Sequence, residues 1–104
     1  MADHDPSADS DRPAVTVRYF AAARAAAGVA EETLPVPAGF DAVDKPDRMT
    51  SIGAVLAVAG DRHPALTTVL PRCSFLLDEV AVHGAATVVR DGQVLDVLPP
   101  FAGG

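Results

Sequence analysis

The pattern of hydrophobic and polar residues predicts several short strands and one well-formed helix. Apolar and polar residues alternate over residues 15–19 and again over residues 31–36, as in half-buried strands, and Phe20 closes the first of them. These two strands are expected to form an antiparallel pair. Between them, the alanine-rich segment Ala21–Ala27 predicts one or two helical turns that stop at Gly28.

The main helix is predicted in the middle of the chain. Ser51 is a suitable N-cap, and Pro64 limits the helix at its far end. The apolar residues after the cap share one face at helical spacing: Ile52, Val55, Leu56 and Ala59. Burial of a large aliphatic side chain contributes about 1.5–3 kcal/mol, so this helix is expected to anchor the core.

The second half of the chain predicts further strands. Residues 66–71 are predicted to be a connection into a strongly β-type run over residues 75–82, which Asp78 and Glu79 interrupt at a turn or an exposed edge. Within a strand, these two carboxylates would point to opposite faces, so we do not expect them to form a catalytic pair.

A hairpin is predicted near the end of the chain. Gly84 turns the chain, and the Asp91-Gly92 pair is a turn signal between strands over residues 87–90 and 94–98. Two strands, one packed helix and further strands together describe an α+β domain in which a helix covers one face of the sheet.

The last six residues predict an extended arm. Pro99 and Pro100 cannot donate to a sheet, so they should end the last strand and direct the following residues outward. Those residues are Phe101, Ala102, Gly103 and Gly104. Glycine at both final positions would let the backbone enter a slot too narrow for any other residue, which suits a terminal carboxylate that is processed inside another protein. The alternative is a frayed terminus.

Composition limits the classes of function. The 104 residues, 49% of them hydrophobic, predict one small domain without metal or disulfide cross-links. Cys73 is the single cysteine, which favours a reducing, cytoplasmic compartment. The net charge of −6 disfavours nucleic acid and favours a basic protein surface as a partner. Neither a membrane-spanning run nor a secretory signal is present in the sequence, so no membrane partner is expected.

Three segments are predicted. Residues 1–13 are acidic and almost free of large apolar groups, which is typical of a flexible tail. Residues 14–98 form the folded domain, with an exposed loop insertion at residues 40–50 that mixes charges with a proline. Residues 99–104 form the terminal arm.

Side chains with catalytic or metal-binding potential are few. His4, His63 and His83 lack carboxylate or cysteine ligands at metal spacing, so no metal site is predicted. His63 is expected near the C-terminus of the main helix, where the dipole favours it. Cys73 is interpreted as a small, half-buried apolar residue. The candidate working group is therefore the main-chain carboxylate of Gly104.

The order of these motifs resembles the ubiquitin-like β-grasp sulfur carriers, and most closely the small subunits of molybdopterin synthase. The resemblance covers about residues 14–104. The matching segments are residues 15–21 with Arg24 and Gly28, the helix start at 51–53, the helix end at 62–66, and Asp91-Gly92 followed by the Pro-Pro-x-x-Gly-Gly ending. Gln93 departs from the family pattern, in which an acidic residue commonly follows the Asp-Gly turn, and the 40–50 loop and the N-terminal tail are additions.

The resemblance implies a fold and a chemistry. The fold is a mixed sheet of about four to five strands with one main helix on one face and an extended C-terminal tail. An adenylating enzyme would use ATP to activate the carboxylate of Gly104, and a sulfur donor protein would convert it into a thiocarboxylate. The chain itself would bind no cofactor and would act as the non-catalytic, sulfur-donating subunit of a sulfurtransferase.

The resemblance also implies a partner. The large subunit of molybdopterin synthase would take up the loaded tail, whose sulfur supplies the dithiolene of the molybdenum cofactor. Gly103 and Ala102 would thread into that subunit, and Phe101, Pro100 and Pro99 would contact it. Replacement of Phe101 by alanine is expected to weaken this binding.

Other functions fit the same ending. A carrier of this kind could pass its sulfur to another acceptor, as in thiazole or cysteine biosynthesis. A ubiquitin-like modifier would instead join its Gly104 carboxylate to lysine in an isopeptide bond. A plain interaction domain with an inert tail is the third alternative.

Overall fold

The computed structural model describes residues 14–35 and 49–100. The predicted flexible tail at residues 1–13, residues 36–48 with most of the predicted loop, and the arm residues 101–104 lie outside the described residues. The elements in chain order are β1 (Ala14–Tyr19), α1 (Ala21–Ala27), β2 (Glu31–Pro35), β3 (Met49–Ser51), α2 (Ile52–Arg62), α3 (Leu66–Val69), a 3₁₀ turn (Leu70–Arg72), β4 (Ser74–Leu77), β5 (Val80–Val82), β6 (Val88–Arg90) and β7 (Val94–Leu98).

A mixed sheet of five strands forms the centre of the molecule, in the order β2-β1-β7-β4-β5. β1 runs antiparallel to β2, as predicted, and parallel to β7. β4 runs antiparallel to both β7 and β5. β3 and β6 form a separate antiparallel pair. The predicted α+β class with a mixed sheet is confirmed, and the last strand of the chain lies in the middle of the sheet.

The alternating pattern of β1 places its apolar side chains on one face. Val15, Val17 and Tyr19 are buried there, and Leu95 and Val97 of β7 are buried beside them. Helix α2 contributes its predicted stripe to the same core through Ile52, Val55 and Ala59, which are buried. The opposite face of the sheet, which we call the open face, carries the alternate residues of these strands, including Arg18, Asp96 and Leu98.

Local signals set the ends of both predicted helices. The Ser51 hydroxyl accepts a hydrogen bond from the Ala54 N–H at 3.2 Å, which confirms the predicted cap of α2. Helix α1 ends where Gly28 takes a left-handed conformation with φ of +80° and donates its N–H to the Arg24 carbonyl.

Two predictions about loops are wrong in part. Thr50 was assigned to the exposed 40–50 loop, but it lies in β3 and is fully buried. Residues 66–71 do connect α2 to β4, as predicted, but the connection contains α3 and most of the 3₁₀ turn, which were not predicted, and Leu66 is buried in the core. A four-residue helix is too short to show a helical period, which is why the pattern did not indicate it.

Asp78 and Glu79 form the turn between β4 and β5, which confirms the predicted turn. Their predicted placement on opposite faces of a strand is wrong. Both take left-handed conformations, with φ of 49° and 72°. The Asp78 carboxylate accepts from the Val94 N–H at 2.9 Å and from the Gln93 side chain at 3.0 Å. Gln93, the residue that departs from the family pattern, thereby joins this turn to β7, where an acidic side chain would face another carboxylate.

The predicted hairpin between residues 87–90 and 94–98 is also wrong. The turn itself forms, with Gly92 at φ of +89°, but β6 pairs with β3 whereas β7 pairs with β1 and β4. The turn is held by Ala14 at the start of β1, whose N–H donates to the Asp91 carboxylate and whose carbonyl accepts from the Gly92 N–H, both at 2.8 Å. These contacts direct the last strand into the centre of the sheet.

Candidate functional site

The C-terminal arm begins at the end of β7, the middle strand of the sheet. Leu98, the last residue of β7, pairs with Ser74 of β4, and Val97 pairs with Tyr19 of β1. The Phe20 N–H also donates to the Val97 carbonyl at 3.2 Å. Because β7 has a neighbour on each side up to this point, the root of the arm is held in place by two strands.

An apolar groove adjoins the root of the arm. It has a volume of about 370 Å³ and is lined by Phe20, Ala21, Ser74, Leu98, Pro99 and Pro100. Phe20 is 40% exposed, although it is a large apolar residue. A partner that received the arm could therefore bury apolar surface directly beside the point where the arm begins. We call this feature the arm-root groove.

A sharp turn of the backbone brings Phe20 to the groove. Phe20 is extended, and Ala21 at the start of α1 has a φ of +51°, a left-handed conformation that is uncommon for residues with a Cβ. The chain thus changes at once from β1 to α1, and Phe20 and Ala21 both line the arm-root groove.

An ion pair lies next to the groove on the open face. Arg18 donates from Nε to Asp96 Oδ1 at 2.6 Å and from Nη2 to Asp96 Oδ2 at 2.8 Å. The Asp96 side chain is only 6% exposed, while that of Arg18 is 39% exposed. Its guanidinium carbon lies 6.0 Å from the centre of the Phe20 ring. The hydrogen bond to Asp96, with its charge, raises the pKa of Arg18.

The predicted site residues are placed only in part. Pro99 and Pro100 follow β7 and line the arm-root groove. The other four lie outside the described residues: Phe101, Ala102, Gly103 and Gly104. Their predicted roles therefore stay predictions.

Sequence reasoning missed the residues that surround the root of the arm. Phe20 was interpreted only as the end of a strand, and the Arg18–Asp96 pair was not predicted. The one available signal was a charged residue within the otherwise apolar run of residues 94–98, since a carboxylate at such a position needs a partner. The partner is 78 residues away along the chain, so local patterns could not identify it.

A second polar cluster lies on the helix side of the sheet and has a structural role. The Glu32 carboxylate accepts from the Tyr19 hydroxyl at 2.6 Å and from Arg62 at 3.2 Å, and it lies 2.8 Å from His63 Nε2. His63 is the C-cap of α2, near the helix C-terminus as predicted. The cluster joins β1, β2 and α2.

Cys73 is half-buried, as predicted. Its thiol donates to the Val69 carbonyl at 3.3 Å, and burial raises its pKa, which disfavours the reactive thiolate. Within residues 14–35 and 49–100, no three His, Cys, Asp or Glu side chains are grouped to hold a metal ion. In the same ranges, no helix is long and apolar enough to cross a membrane.

Comparison with known proteins identifies relatives over most of the chain. The model of the ThiS family matches residues 17–104. A molybdopterin synthase sulfur carrier subunit from Chlamydomonas reinhardtii is 32% identical over 91 residues, which cover 86% of this chain and 98% of the relative.

Solved structures share the fold. Small archaeal modifier protein 1 (SAMP1) from Haloferax volcanii superposes with a TM-score of 0.69 at 21% identity, over 88% of this chain and 99% of that one. A chain in the complex of subunits 1 and 2 of molybdopterin-converting factor from Helicobacter pylori superposes with a TM-score of 0.54 at 23% identity, over 88% of this chain and 99% of that one. The family match extends to Gly104 and therefore covers the Gly-Gly ending. The chain therefore belongs to the ThiS family of sulfur carriers and has the ubiquitin-like β-grasp fold.

Proposed function

We propose that this chain is the sulfur-carrier subunit of a molybdopterin synthase. Its Gly104 carboxylate is adenylated and then converted into a thiocarboxylate, which supplies sulfur for the dithiolene of the molybdenum cofactor. The observation that carries the proposal is the 32% identity to a molybdopterin synthase sulfur carrier subunit, which extends over 98% of that relative.

The chemistry requires activation because a free carboxylate is a poor acyl donor. In the first step, a carboxylate oxygen of Gly104 attacks the α-phosphate of ATP in the adenylating enzyme, which forms an acyl-adenylate and releases pyrophosphate. A sulfur donor protein then supplies the sulfur that displaces AMP. This chain contributes no acid or base to either step; it presents the carboxylate.

The structure supports this presenting role through the root of the arm. β7 is held between β1 and β4, so Pro99 and Pro100 begin at a fixed position beside the arm-root groove. Ordering the four residues that follow costs about 1–2 kcal/mol each in backbone entropy. Apolar contacts at the groove and at Phe101 offset this cost when a partner closes over them, while Ala102 and Gly103 thread into its channel.

The large subunit of the synthase is the partner that receives the loaded tail. The relative from Helicobacter pylori was solved as a complex of subunits 1 and 2, and it shares the fold of this chain. A standard interface buries about 800 Å² on each partner. The open face, with the arm-root groove at its end, is the surface of this chain that we assign to that interface.

Intact-mass spectrometry tests the proposed chemistry. The protein is incubated with the adenylating enzyme, ATP and a sulfur donor, and we expect a mass increase equal to the replacement of one oxygen by sulfur. A variant extended by one residue after Gly104 is the matched control and should show no increase. If the mass is unchanged with an enzyme that is active on another carrier, the proposal is wrong.

A protein modifier is the second candidate function, because small archaeal modifier protein 1 from Haloferax volcanii shares the fold with a TM-score of 0.69. In that case, the activated Gly104 carboxylate would form an isopeptide bond with a lysine amine. Recovery of lysine conjugates of this chain from cells would favour this function over sulfur transfer. A carrier for another pathway, such as thiazole or cysteine biosynthesis, would give the thiocarboxylate but would not bind the large synthase subunit.

A further inference from the structure

Arg18 occupies an unusual place on the open face. It lies on β1 and pairs with Asp96 of the central strand β7. Phe20 lies under its guanidinium, and Leu76 and Leu98 are neighbours of Asp96 on the same face. Asp96 is buried but Arg18 is 39% exposed, and ion pairs that are partly exposed to solvent contribute little to stability. Stability alone therefore does not account for a charged pair among these apolar neighbours.

The geometry of the Arg18–Asp96 pair leaves N–H donors of Arg18 available to a partner protein. Asp96 is buried and both of its carboxylate oxygens are used by Arg18, so it presents no charge to a partner. The guanidinium carries five N–H donors, and Asp96 takes two of them. Arg18 remains 39% exposed and is fixed from two sides, by Asp96 and by the ring of Phe20. A donor held in this way loses little entropy when it binds.

The charges around Arg18 indicate what kind of group it would meet. Glu31 of β2 and Glu79 of the β4–β5 turn both act electrostatically on Arg18, and Asp78 and Glu79 line the pocket beside it. A partner carboxylate placed at Arg18 would be repelled by these acids. A cationic side chain has no lone pair to accept a hydrogen bond from the guanidinium. An uncharged acceptor, such as a main-chain carbonyl or an amide oxygen, can accept from the guanidinium and is not repelled by the acids.

We infer that Arg18 is a specificity contact of the open face, and that it donates hydrogen bonds to an uncharged oxygen acceptor on the large synthase subunit. This inference rests on the proposed function. Phe20 links the contact to the arm-root groove, since its ring lies under the guanidinium and also lines the groove. Asp96 is a positioning residue that acts through Arg18. The surface of the large subunit that is recognised therefore carries an uncharged oxygen acceptor next to an apolar group. That apolar group fills the arm-root groove.

Titration calorimetry with the purified large subunit tests the inference. The Arg18→Leu/Asp96→Leu double variant keeps the net charge and leaves no buried carboxylate without a partner. We expect it to unfold at a similar denaturant concentration to the unmodified protein but to bind at least tenfold more weakly. Arg62→Leu, which removes a cation paired with Glu32 on the helix side, is the matched control and should bind with unchanged affinity.

Salt distinguishes a hydrogen bond to a neutral acceptor from simple charge attraction. The titrations are repeated at about 1 M salt, where the Debye length is about 3 Å. We expect the ratio between the affinities of the unmodified protein and of the double variant to stay the same, because the contact is not a long-range Coulombic one. A ratio that collapses towards one at high salt overturns the neutral acceptor.

The outcomes also separate this inference from the proposed function. If the unmodified protein binds the large subunit and the double variant binds equally well, the role of Arg18 is wrong and the proposed function stands. If the unmodified protein acquires the thiocarboxylate but does not bind the large subunit, the molybdopterin assignment fails and this inference fails with it.

Discussion

Glu32 is a single carboxylate that connects three elements of the fold. Burial alone would raise its pKa, but the hydrogen bonds from Tyr19 and His63, together with the charges of His63 and Arg62, outweigh burial and lower the pKa below its ordinary value of 4.5. The folded protein therefore holds a proton at Glu32 less readily than the unfolded chain. The stability that follows from this difference is present above pH 4.5 and is lost as the pH falls through the lowered pKa.

Replacement of Glu32 by glutamine tests this linkage. Hydrogen bonds to charged groups contribute about 1.5–3 kcal/mol, and glutamine keeps one acceptor oxygen, so we expect the free energy of unfolding at neutral pH to fall by about 1–2 kcal/mol. The difference between variant and unmodified protein should shrink as the pH is lowered below 4.5. Urea unfolding across this pH range measures both effects. Glu31→Gln, at the exposed neighbouring position, is the control; an equal loss there would contradict the account.

Thr50 provides a second test at the scale of one residue. Its side chain is fully buried in β3, and its hydroxyl oxygen has no hydrogen-bond partner among the described residues. Valine has nearly the same shape without the polar group, and an unsatisfied buried polar group costs about 1–3 kcal/mol. We expect Thr50→Val to raise the free energy of unfolding by about 1 kcal/mol. Thr33→Val, on the exposed side of β2, should change it by less than about 0.5 kcal/mol; a destabilised Thr50 variant would show that the hydroxyl has a partner.

At the scale of the element, helix α2 depends on its first turn. Ser51 accepts from the Ala54 N–H, while the Ile52 and Gly53 N–H groups donate to the carbonyls of Thr87 and Ala85, both at 2.9 Å. We expect Ser51→Ala to lower the free energy of unfolding by about 1 kcal/mol because one of these donors loses its acceptor. Ser51→Asp retains an acceptor and should remain close to the unmodified protein in thermal or urea unfolding. If both variants are equally destabilised, the cap is not the cause.

Elements that local chemistry determines could be predicted from the sequence. The alternation around Val17, the Ser51 cap and the glycine stop at Gly28 all depend on residues within one or two turns of the chain, and the structure confirms each of them. Helix α3 was missed because its four residues are too few to show a period and because its stability comes from Leu66, which the tertiary fold buries.

Strand pairing could not be predicted in the same way. The Asp91-Gly92 signal did produce a turn, but Ala14, at the other end of the folded chain, binds that turn and directs β7 alongside β1. The first and last strands, β1 and β7, form a parallel pair. The paired residues are separated along the sequence by nearly the full length of the described chain. This pairing stabilises the protein only when the whole sheet has formed, so no local sequence pattern indicates it.

At the scale of the whole molecule, the position of β7 connects the fold to the proposed function. The central place of the last strand fixes the root of the arm, and the open face surrounds that root with the arm-root groove and the Arg18–Asp96 pair. The Gly-Gly ending could be interpreted from sequence because its chemistry belongs to the main chain. The arm-root groove could not be predicted from the sequence, because its lining residues Phe20, Ser74 and Leu98 lie at or next to the ends of three different strands.

The central claim is that the working group of this protein is the main-chain carboxylate of Gly104. Complementation tests it most directly, in cells that lack their own carrier subunit and cannot make molybdenum cofactor. We predict that the unmodified chain restores the activity of a molybdenum enzyme, and that a variant lacking Gly103 and Gly104 is present at the same level in the cells but restores none. Full restoration by the truncated variant would contradict the account.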